Sequence, residues 1–61
     1  MDRATELALS ALIFTHPNKP ALIESLKIGA LRCKQENDPK GARQLMGLIE
    51  VTEHYLEEDK N

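Results

Sequence analysis

Residues 37–56 read NDPKGARQLMGLIEVTEHYL, and this stretch decides the fold. Asp38 before Pro39 is a helix start. The aspartate side chain accepts from one of the first unpaired N–H groups, and proline in the first helical position loses nothing by lacking its own. From there Ala42, Leu45, Ile49, Thr52 and Leu56 recur at spacings alternating between three and four, a heptad seam. Leu48, Val51 and Tyr55 form a second stripe beside it. Together the two stripes make an apolar face wider than one neighbouring helix covers, which leads us to expect a homodimer or an obligate complex with another chain.

Upstream, residues 19–36 place Leu22, Ile23, Leu26, Ala30 and Cys33 on one stripe, with Ile28 and Leu31 partly off it. Asn18 is the candidate N-cap and Pro20 falls in the first turn. Residues 3–15 carry Ala4, Leu7, Ala8, Ala11 and Leu12 at i, i+3, i+4, i+7 and i+8, with Leu9, Ile13 and Phe14 apolar outside that stripe. His16-Pro17 stops the segment, because a residue before proline is pushed out of the α region. Alternation of period two never persists, so no strand is expected. The predicted fold class is all-α: a short N-terminal helix over 3–15 and an antiparallel helical hairpin of 19–36 and 39–58. Residues 1–61 then form a single small domain, expected to be completed by oligomerisation. Gly29 and Gly47 are both candidates for a close helix–helix crossing, which would offset the roughly 1 kcal/mol an interior glycine costs relative to alanine.

Composition agrees. Nine Leu and six Ala outweigh four Ile and one Val, and aromatics are only 3% of the 61 residues, Phe14 and Tyr55. This is a helical composition. The length excludes a multidomain enzyme, and a chain this short buries only about 60% of what its unfolded form exposes, so it is marginal alone. Cys33 has no internal disulfide partner, which fits a cytoplasmic protein. The apolar run 7–14 is too short to span a bilayer. Asp2 and Glu6 stand where the basic flank of a signal peptide belongs, so no such peptide and no membrane association are expected. The opening Met1 leads to the expectation of a small, complete gene product.

Charge is unevenly distributed along a chain of net charge −2. Residues 27–43 carry Lys27, Arg32, Lys34, Lys40 and Arg43 against Glu36 and Asp38, net +3. Residues 44–61 carry Glu50, Glu53, Glu57, Glu58 and Asp59 against Lys60, net −4. A hairpin would put the basic block at its turn and the acidic block at the other end. Carboxylates at a helix C-terminus oppose the macrodipole, and Glu53, Glu57 and Glu58 are therefore candidates for a docking surface. The basic tip over 34–43 raises nucleic acid as a second class of partner, with no aromatic among the cations for base stacking.

His16, His54 and Cys33 show no metal-ligand spacing, and Glu50 and Glu58 flank His54 at i−4 and i+4 as ordinary surface pairs. No nucleophile–base or paired-carboxylate arrangement can be assembled, so no catalytic, metal or cofactor site is expected. Gly29 on one helix, followed by Ala42, Met46 and Ile49 on the next, resembles the helix pair of a tetratricopeptide unit over about a third of the chain. Ser25 and Arg32 stand where that motif has aromatics, so the likeness is one of hairpin geometry; it implies peptide or helix binding. The function expected is non-enzymatic protein binding, as a small co-chaperone, anti-activator or adaptor. Leu45, Leu48, Ile49, Val51, Tyr55 and Leu56 would meet an amphipathic partner helix or a second copy, with Glu53, Glu57 and Glu58 beside them. The alternative is a small dimeric nucleic-acid-binding regulator that uses the basic tip.

Overall fold

Each helix begins on a side chain that closes its first turn. Asp2 accepts from the Thr5 N–H at 2.7 Å, Asn18 from Ala21 at 3.2 Å and Asp38 from Gly41 at 3.0 Å. Each contact satisfies one of the N–H groups a helix start leaves without an intrahelical acceptor. The Thr5 backbone bond holds the Asp2 carboxyl below its ordinary pKa. The computed structural model describes residues 2–59, the Asp59 side chain excepted; Met1, Lys60 and Asn61, and with them part of the acidic block, lie outside the described residues. Three helices follow: α1 Arg3–Phe14, α2 Lys19–Gln35 and α3 Pro39–Asp59, all within a residue of the predicted bounds.

The helix ends are equally local. The Thr15 hydroxyl is shared between the Ala11 carbonyl, which also accepts the Thr15 N–H, and the Leu12 carbonyl. At the end of α2, Asn37 takes φ 63°, the left-handed conformation. The Asp38 N–H reaches back to the Cys33 carbonyl at 2.8 Å and the Asn37 N–H to Lys34 at 3.2 Å. This Schellman pair closes α2 and turns the chain directly into the Asp38 cap of α3.

The principal packing is α2 against α3. A β-carbon added at Gly29 would meet Leu45 Cδ1 at 3.2 Å, and one at Gly41 would meet Cys33 Sγ at 3.2 Å. Successive positions on one helix thus face receding positions on the other. Gly29 marks the close crossing; at Gly47 an added β-carbon meets nothing within 4 Å. The expected α2 stripe faces inward: Ile23 and Ala30 are buried, and Leu22, Leu26 and Cys33 half-buried. On α3, Ala42 and Thr52 are buried, and the Thr52 hydroxyl donates to the Leu48 carbonyl at 2.7 Å, so the seam's polar member brings its own partner.

Helix α1 packs on α3. Here the stripe reading needs correction. Ala4, Leu7, Ala8, Ala11 and Leu12 face solvent, Leu7 at 57% and Leu12 at 65% exposure. The inward residues are Leu9, Ser10 and the buried Ile13, while the Phe14 ring meets Tyr55 edge-on, centroids 5.3 Å apart. Periodicity counts positions, whereas burial follows area. Three of the five stripe members are alanines, and Ile13 with Phe14 offers more apolar surface to the one helix α1 can reach.

The result is a slab of 38 × 24 × 15 Å whose buried apolar residues are Ile13, Ile23, Ala30 and Ala42. Its accessible surface is 4700 Å². A compact monomer of this mass exposes about 4000 Å².

Candidate partner-binding groove

A groove runs where α2 and α3 meet, lined by residues of those two helices. Lys27, Ala30, Leu31 and Lys34 of α2, at i, i+3, i+4 and i+7, face Met46, Ile49, Glu50 and Glu53 of α3 at the same spacing. Identical spacing puts one face of each helix along a shared groove of about 380 Å³. Buried Ala30 and half-buried Ile49 form its floor. Leu31 and Met46 stand along it at 58% and 51% exposure, with Ile28 exposed beside them.

The charges of the groove are ordered along its length. Lys34 lies near the α2–α3 turn, whereas Glu53 lies about 15–20 Å further along the helices, counted from the helical rise. Leu31, Ala30, Met46, Lys27 and Ile49 fall between, and Glu50 is one turn short of Glu53. Lys27, near the middle, is ion-paired with Glu24 on its own helix at 3.9 Å.

The residues expected to bind a partner are distributed as follows. Leu45, Ile49 and Leu56 of the seam are half-buried, and Leu45 reaches Gly29. Leu48 and Val51 of the second stripe line a separate groove of about 380 Å³ shared with Glu6 and Ser10 of α1, and Tyr55 holds Phe14. The two stripes therefore each find a neighbour within the chain, one on α2 and one on α1. Of the nine residues, Ile49 and Glu53 line the α2–α3 groove. Glu57 and Glu58 are exposed on the last turns of α3, and Glu58 Oε1 lies 3.2 Å from His54 Nε2. Sequence reasoning gave Lys27, Leu31, Met46 and Glu50 no binding role, and Lys34 one only in the basic tip. The available signal was Leu31 and Met46, large apolar residues one step outside a stripe, each with a charge at i+3 or i+4.

Around the basic turn, Lys34, Lys40 and Arg43 are exposed, and Arg32 is ion-paired with Glu36 at 3.3 Å. Phe14 and Tyr55, paired with each other, lie at the far end of α3 from that turn. Among the described residues no three His, Cys, Asp or Glu side chains are grouped to hold a metal ion, and no helix is long and apolar enough to cross a membrane. No protein-family model matches the chain, and neither does any curated protein or solved structure.

Proposed function

We propose that this protein is a non-enzymatic interaction module, of the co-chaperone, anti-activator or adaptor kind, acting in the cytoplasm. In this reading α2 and α3 serve as a helical hairpin braced by α1, and a partner helix completes the fold by lying in the α2–α3 groove. The observation that carries it is the unfinished core. Two of the four buried apolar residues are alanines, while Leu31 and Met46 stay more than half exposed along one groove. An apolar floor flanked by charges at helical spacing suits an amphipathic helix, whose own i, i+3, i+4 and i+7 side chains would fill it. Burying such side chains is worth about 1.5–3 kcal/mol each, so a few of them suffice for association.

Selection from a displayed library of amphipathic helices, with the full chain at nanomolar concentration, tests the reading. Enriched helices should lose at least tenfold in affinity against Leu31→Glu. Absence of enrichment, or binding indifferent to Leu31, overturns it. A labelled DNA duplex titrated with salt is run in parallel. Tight, strongly salt-dependent duplex binding would overturn the reading in favour of a regulator working through Lys34, Lys40 and Arg43.

A further inference from the structure

We infer that the occupant of the α2–α3 groove is a second copy of this chain, laid antiparallel across a two-fold axis near Met46 and Lys27. The inference rests on the α2–α3 groove being a partner-binding surface, and it names as partner the same surface of a second copy.

The first support is charge. The groove begins on Lys34 at the turn, runs over Ala30, Leu31, Met46 and Ile49, and ends on Glu50 and Glu53. A surface that is basic at one end, apolar in the middle and acidic at the other is complementary to itself turned through 180°. A two-fold contact has this property by construction, since residue i meets residue j while j meets i. Lys34 of each copy then lies over Glu53 of the other, and the apolar middles coincide. The parallel alternative would bring two basic turns together, each with exposed Lys34, Lys40 and Arg43, and two acidic ends together, each with Glu53, Glu57 and Glu58. Like charges at both ends disfavour it. Lys27 falls near the axis, where two copies would approach, and its pairing with Glu24 offsets that charge.

The second support is exposed apolar side chain at the centre of the groove, where Leu31 and Met46 stand at 58% and 51% exposure between its basic and acidic ends.

Sedimentation equilibrium of the full chain, from low micromolar to several hundred micromolar, should give a monomer–dimer equilibrium. Lys34→Glu alone and Glu53→Lys alone should each weaken the dimer about tenfold, because two symmetry-related rim pairs turn from attraction to repulsion. An equimolar mixture of the two variants should recover affinity near that of the unaltered chain, since the heterodimer restores both pairs. Leu31→Glu should abolish the dimer while circular dichroism at dilution stays helical, the side chain being exposed in the single chain. A monomer throughout the range, single reversals without effect, or no recovery on mixing overturns the inference. A monomer that still captures displayed helices in a Leu31-dependent manner overturns self-pairing alone; one that captures none overturns the helix-binding reading as well.

Discussion

Gly29 and Gly47 sit in the interiors of α2 and α3 and invite the same substitution, with opposite expected results. Replacing glycine with alanine inside a helix removes backbone freedom from the unfolded chain and is worth about 0.8–1 kcal/mol. At Gly47 nothing lies within 4 Å of the added β-carbon, so Gly47→Ala should realise the whole gain. In a domain of this size that raises Tm by about 4–8 °C. At Gly29 the added β-carbon lies 3.2 Å from Leu45 Cδ1, inside ordinary contact distance. Leu45 is held on the seam and yields only by moving off its packing, and overpacking costs about 1–3 kcal/mol. Gly29→Ala should therefore leave stability unchanged or lower it by up to about 2 kcal/mol, the propensity gain being consumed. Urea and thermal melts of both variants, at one low protein concentration, read the difference. Equal stabilisation by both substitutions would refute the close crossing of α2 and α3. Loss of stability in Gly47→Ala would refute the open space between α1 and α3.

Three further substitutions test the local devices. A β-carbon at Gly41 would collide with the Asp38 carboxylate, so Gly41→Ala should cost about 1 kcal/mol by evicting the cap, and Asp38→Ala should then add little in a double-mutant cycle. Asn37→Ala should cost about 1 kcal/mol and Asn37→Gly no more than a few tenths, because φ 63° suits glycine and asparagine but strains alanine; equal losses in chemical denaturation would contradict the left-handed turn. The Asp2 carboxyl, held down by the Thr5 N–H, stabilises the folded chain above its ordinary value of 3.8, and that contribution disappears as pH falls through the lower folded value. Asp2→Asn keeps the cap without the charge, so the stability difference between it and the unaltered chain should be constant near neutrality and shift against the unaltered chain only in acid, as paired melts across that range would read.

The elements of this protein are written in its sequence. Asp2, Asn18 and Asp38 sit where the helices start, and Asn37 and Pro39 mark the break between α2 and α3. These are contacts within four residues, so residue type and spacing alone specify them. The inward faces of α2 and α3 were legible as well, since each is dominated by its nearest neighbour and shows the 3.6 period. The face of α1 was not. Which side of a short helix turns inward depends on the area each side can bury against one particular neighbour, and the contest between an alanine-rich stripe and Ile13 with Phe14 is settled only when that neighbour is in place. The two glycines were indistinguishable for the same reason: only the helix axes decide whether a β-carbon meets Leu45 or empty space. The groove belongs to the tertiary structure too. Lys34 and Glu53 are nineteen positions apart in the chain, and they become opposite ends of one surface only because α3 returns alongside α2.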